Sequence, residues 1–219
     1  FNVVSLGKPL APERLGNKTT ANIGVMPFYF SNTNVHQLTN VEKNDYLTAA
    51  TRIHQLSNGI VNISFTFLAP VEAKMSTSEF AKLISNYRIF GWNDKDSSNS
   101  TYGFARNLVE ANDSRQDYSS LDGIILEGNV FSENVAVAEA LSFFRKQNES
   151  FNQSGNPFFR SIQTKEGYID NSILFERHYD AGTITHEMLH NFGLTDLYGN
   201  DGIPGGLSEM AGGTGDSPR

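Results

Sequence analysis

Apolar positions change their period several times along the chain, and each change marks an element. After an irregular lead-in of ~20 residues punctuated by Gly7, Pro9, Pro12 and Gly16, residues Asn22 to Phe30 form an apolar, aromatic run. It reads as a buried strand, with Pro27 placing it at an edge or a bulge. From Val41 to Ser57, Leu47, Ala50, Ile53 and Leu56 recur every three residues as one helix face, and Asn58-Gly59 closes the helix. Ile63, Phe65 and Phe67 then alternate with polar residues between Ile60 and Leu68, as in a half-buried strand. Ser78 opens a second helix to about Phe90, with Phe80, Leu83, Ile84 and Tyr87 on one face. The Ser/Asn/Asp-rich stretch from Asn93 to Ser100 is a loop, and a short helix follows at Phe104 to Ala111. Leu121 to Leu126 reads as a central strand, Asn134 to Gln147 as a helix, and Phe158 to Thr164 and Tyr168 to Phe175 as strands. The strand–helix–strand opening sets the fold class as α/β (α+β).

No internal repeat and no second compositional regime interrupts 1–219, so the pattern predicts a single domain, with room for two unequal lobes around a cleft. Hydrophobic residues make up 38% and aromatics 11%, enough for a packed core. The net charge of -7 and the lack of any basic run argue against recognition of a nucleic-acid backbone and give no support to attraction to an anionic membrane surface. There are no cysteines, so disulfides, thiolate metal sites and Cys nucleophiles are ruled out. No apolar stretch approaches the ~20 residues that cross a bilayer. Phe1 in place of an initiator Met reads as a mature form or an excised fragment. Six Asn-x-Ser/Thr triplets, at Asn17, Asn62, Asn99, Asn112, Asn148 and Asn152, are expected by coincidence in so Asn- and Ser-rich a chain.

The chemistry concentrates in residues 180–196, which contain His186-Glu187-x-x-His190. Helical residues four apart lie ~40° apart in angle and ~6 Å apart along the axis, so both imidazoles reach one ion while Glu187 stands beside it as a base. Asp180 or Thr183 serves as N-cap, and Ile184, Met188 and Leu189 seat the helix in the core. A catalytic zinc takes three protein ligands and keeps one position open. Gly193 ends the helix with a bend, and Asp196, ten residues after His186, is placed as the third ligand. A chance His-Glu-x-x-His in a chain of this size has a probability of roughly one per cent, before Gly193 and Asp196 are required. Singly, each residue has an ordinary explanation: satisfied histidines, a solvated Glu, a helix stop and a turn Asp.

Together, His186-Glu187-x-x-His190-x-x-Gly193-x-x-Asp196 resembles the extended zinc motif of the metzincin metallopeptidases, in the variant with Asp as third ligand. Gly193 to Tyr198 is similar to the Gly-Leu-Pro-Asp-x-Tyr segment of secreted immune-inhibitor-A-like peptidases, with Thr195 in place of Pro. Leu207 to Gly213, with Met210, resembles that family's Met-turn, a hydrophobic floor under the metal. The resemblance covers about residues 180–213. It implies an N-terminal lobe (1–193) with a twisted mixed sheet, a backing helix near 41–57 and a zinc helix near 180–191. It also implies a short or truncated C-terminal lobe (194–219) and secretion.

The reaction expected is hydrolysis of a peptide bond in a protein or peptide lying extended along a sheet edge, with Zn2+ as cofactor and Glu187 as general base. Two other readings stay open: a catalytically silent zinc-binding adhesion or inhibitory module, and a zinc hydrolase acting on something other than peptides. Tyr198 is expected to pack beneath the site rather than face the metal. His178 is expected at the surface or supporting a ligand; His36 and His54 receive no role. The cluster at 199–202 could take calcium but lacks the spacing of a calcium loop. The sequence leaves the oligomeric state undetermined.

Overall fold

A computed structural model of the 219-residue chain describes residues 15, 18–86, 101–130, 138–142, 162–169, 171–192 and 194. Its elements are β1 (Thr20–Tyr29), α1 (Asn40–Leu56), β2 (Asn62–Phe67), β3 (Val71–Glu72), α2 (Thr77–Asn86), α3 (Thr101–Asn112), β4 (Gly123–Glu127), β5 (Ala138–Ser142), β6 (Ile162–Thr164), β7 (Gly167–Ile169), β8 (Asn171–Phe175) and α4 (Ala181–Asn191). The main sheet runs β2-β1-β4-β8-β5, with β3 also on β1. Strands β2, β3, β1, β4 and β8 are parallel, and β5 runs antiparallel to β8. The protein is therefore a mixed α/β structure with a mostly parallel sheet; β6 and β7 form a separate hairpin.

Helices cover both faces of the sheet, which explains why β1, β4 and β8 read as continuous apolar runs. Met26, Phe28, Phe30, Ile124, Leu126 and Leu174 face one layer, where Phe80 of α2 and Phe104, Leu108 and Val109 of α3 join them. The alternate residues Ile23, Val25, Ile125, Ile173 and Phe175 face the other, with Tyr46, Ala49 and Ile53 of α1 and Ile184, Met188 and Leu189 of α4. Period-2 alternation thus assigns each strand residue to a helix pair.

Four expectations need correction. β1 is not an edge strand: it pairs with β4 on one side and with β2 and β3 on the other. Val25 O and Tyr29 O accept from Leu68 and Ala73, so odd-numbered residues of β1 turn their peptide groups to the β2/β3 side. Pro27 lacks its N–H on that side, between the end of β2 at Phe67 and the start of β3 at Val71, so no ladder bond is lost. α1 buries Tyr46, Ala49 and Ile53, while Leu47 is 53% and Leu56 56% exposed, so its core face is rotated from the one predicted. The helix expected over Asn134 to Gln147 contains strand β5, where pairing with β8 overrides the local helix preference of Ala-Glu-Ala-Leu. The run from Tyr168 to Phe175 divides into β7 and β8.

Other expectations hold where residues are described. β2, α2, α3 and β4 fall where the pattern places them. α1 closes at Asn58 (φ 54) and Gly59 (φ 80), left-handed positions that favour Asn and Gly. At the carboxyl end of β4, a Cβ on Gly128 would lie 2.6 Å from Glu176 O and from the Phe28 ring, so only glycine permits this approach. The loop from Asn93 to Ser100 and the C-terminal lobe beyond Leu194 lie outside the described residues.

Candidate metal and catalytic centre

α4 begins where Asp180 caps it: its side chain accepts from Thr183 N at 2.9 Å, one of the two caps expected. Ile184, Met188 and Leu189 are buried against α1 and the sheet, as their spacing predicts. That fixes the rotation of the helix and leaves His186 and His190, one turn apart, half-buried on one side. Their ring centroids are 4.8 Å apart with planes at 88°. His190 Nδ1 lies 2.9 Å from Leu194 O; a carbonyl only accepts, so Nδ1 is the donor in this contact and Nε2 is the nitrogen turned away from it. Metal-ligating histidines are oriented by this kind of hydrogen bond. Two adjacent imidazoles, one oriented in this way, are a donor pair that suits zinc.

Glu187 is buried at 6% exposure, next to His186 in the chain. The helix ends with Phe192 N–H donating to Leu189 O and Met188 O, and Leu194 N–H donating to Leu189 O at 3.1 Å. Gly193, Asp196, Tyr198, the 199–202 cluster and Met210 lie outside the described residues. The structure therefore brings together two of the three expected metal ligands.

A second constellation stands at the other end of α4. Glu127, the last residue of β4, is 0% exposed and its side chain lies on the α1/α4 face. It accepts from Tyr46 Oη of α1. His178 Nδ1 lies 3.2 Å and 3.3 Å from its two carboxylate oxygens, and His36 Nε2 3.4 Å from Oε1. His178 Nε2 reaches Asp45 Oδ2 at 3.0 Å. Burial alone would raise the Glu127 pKa, but hydrogen bonds from His178, His36 and Tyr46 outweigh it and hold the carboxyl below its ordinary value. Burial likewise pulls His178 down, yet its bonds to Glu127 and Asp45 win and lift it to about 9. Burial, reinforced by the Glu127 charge, keeps the Tyr46 phenol well above its usual value, so it remains a donor.

Glu42, Glu127 and His178 present ligand atoms within 4.8 Å of one another, a spacing that could hold a metal ion. No local pattern in the sequence marks this group: His36, without a role there, bonds Glu127, and His178, expected at the surface or supporting a ligand, joins Glu127 to Asp45. His54 bonds the backbone of Val61 through Nδ1, which accounts for it structurally.

No protein-family model matches the chain, and no curated protein matches it. Among the described residues, no helix is long and apolar enough to cross a membrane.

Proposed function

We propose that the chain is a zinc-dependent endopeptidase of the metzincin type, secreted, with His186, His190 and Asp196 as metal ligands and Glu187 as general base. The observation that carries this reading is the His186–His190 pair, its rings 4.8 Å apart on a capped helix with Glu187 between them in sequence. Zinc bound there would polarise a scissile carbonyl and bring the pKa of a water towards ~7. Glu187 would take the proton from the attacking water and pass it to the leaving amine. Its low exposure suits a base whose proton must go to the substrate rather than to bulk solvent. His190, steadied through Leu194 O, and His186 hold position through the buried apolar face of α4. Among the described strands β5 stands last in the sheet, antiparallel to β8, and an extended peptide could add beside it through main-chain hydrogen bonds.

The test is cleavage of an unfolded protein, with metal analysis, for the wild type and Glu187→Ala. We expect wild-type cleavage that a chelator abolishes, and a loss of at least about 100-fold in Glu187→Ala with zinc content retained. Proteolysis that persists in Glu187→Ala at the wild-type rate refutes the mechanism. Zinc binding without any wild-type cleavage selects the silent adhesion or inhibitory module instead.

A further inference from the structure

The group around Glu127 stands apart from the His186–His190 pair, beyond the carboxyl ends of the parallel strands. Glu127 ends β4, His36 follows β1 and His178 follows β8, so three neighbouring parallel strands deliver these side chains to one end of the sheet. From β1 the chain crosses through α1 to β2 on one side, whereas β4 is flanked on its other side by β8. The order therefore reverses between β1 and β4. In open α/β sheets, the crevice beyond the carboxyl ends at such a point is where ligands bind.

His178 Nδ1 and the Glu127 oxygens are 3.2–3.3 Å apart, and the ligand atoms of Glu42, Glu127 and His178 all lie within 4.8 Å of one another. Donors arranged tetrahedrally around an ion at about 2.0–2.1 Å lie about 3.3–3.4 Å from each other. His178 turns its other nitrogen, Nε2, to Asp45 Oδ2 at 3.0 Å, and such a carboxylate behind the ring is what orients a metal-bound histidine. Tyr46 Oη gives Glu127 the equivalent support. Glu42 is pinned by the capping box of α1, where its Oε2 accepts from Thr39 N at 2.6 Å. Three carboxylates (Glu42, Asp45, Glu127) stand with two imidazoles, so the group keeps a net negative formal charge even with both rings protonated.

We propose that Glu42, Glu127 and His178 bind one divalent cation, separate from the His186–His190 pair. A ligand set with one imidazole and two carboxylates favours a first-row transition ion such as zinc or manganese over calcium or magnesium. Bound there, the ion ties α1, β4 and the segment before α4 together.

Zinc titration of the untagged, chelator-stripped full chain tests this, read by calorimetry and by the melting temperature. In His186→Ala/His190→Ala we expect one equivalent of zinc to bind and to raise the melting temperature. Adding Glu42→Gln keeps the capping hydrogen bond, because Gln also accepts from Thr39 N, but removes an anionic ligand. It should weaken zinc binding at least tenfold and leave the metal-free melting temperature near that of the parent. Should the double-histidine variant not fold, Glu42→Gln in the wild-type background lowers the total by one equivalent. Zinc uptake that Glu42→Gln does not change overturns the proposal, as does a folded double-histidine variant that binds none; the group is then a closed hydrogen-bond network only. A wild type that binds a single equivalent, kept in His186→Ala/His190→Ala and lost in Glu42→Gln, supports this site while removing the basis of the peptidase reading.

Discussion

The two ends of α4 are built in opposite ways. At the far end, His186 and His190 owe their proximity to helix geometry: four residues apart, they meet wherever that segment is helical. At the near end, Glu127 meets His178 across 51 positions of sequence, Tyr46 across 81 and His36 across 91, and His178 meets Asp45 across 133. The first arrangement survives as long as one helix does. The second exists only when β4, α1 and the turns after β1 and β8 are all in place. One is a local property of the chain and the other a product of the whole fold, and the two should fail differently.

The largest effect is expected at the assembled end. Glu127→Ala strips His178, His36 and Tyr46 of a buried acceptor, and urea unfolding should show a loss of about 3–5 kcal/mol. A loss below about 1 kcal/mol would mean that the group is not integral to the fold. Asp180→Ala removes the cap of α4 and should cost about 1 kcal/mol, with faster amide exchange concentrated in the first turn near Thr183. Protection lost equally at His190 would show that the helix ends are not independent.

The smallest effect concerns a purely local feature, the start of α2. There Ser76 N and Ser76 Oγ each donate to Glu79 Oε2 at 2.7 Å, while Glu79 N donates to Ser76 Oγ at 3.2 Å. The two bonds to the carboxylate, the backbone donor of Ser76 foremost, hold the Glu79 carboxyl below its ordinary value. A depressed carboxylate stabilises the folded state above its unfolded pKa, and that contribution fades as pH falls through the folded one. An NMR titration should find Glu79 protonating at lower pH than a free glutamate, with the first turn of α2 fraying on the acid side. Ser76→Ala removes the hydroxyl donor and keeps the backbone one, so the titration should move only part of the way to the free value; a full return would show that the hydroxyl, not the backbone N–H, holds the carboxyl down.

The same division decides what the sequence discloses. α4 was legible down to its buried face, because Ile184, Met188 and Leu189 follow the 3.6-residue period, and Asp180 is one of the two caps the sequence offers. β4 was legible because five consecutive residues are buried between two helical layers. α1 was legible as a helix, but its face was not: Leu47 and Leu56 outrank Tyr46 and Ala49 in hydrophobicity, yet packing on the sheet selects the latter. β5 was misread because its pairing with β8 lies outside its own residues. The Glu127 group had no local signal at all. A glutamate ending an apolar strand and a histidine in a turn are individually unremarkable, and only the strand order puts them side by side.

Gly128 bears on all of this while contributing no functional atom. With Glu176 O and the Phe28 ring already 2.6 Å from where a Cβ would stand, even a methyl group there would act as a wedge between two strand ends. The spacing of the carboxylate and imidazole next to it is thus governed by an absence of side chain, and the grip of that cluster could be tuned through a position that touches neither a proton nor an ion.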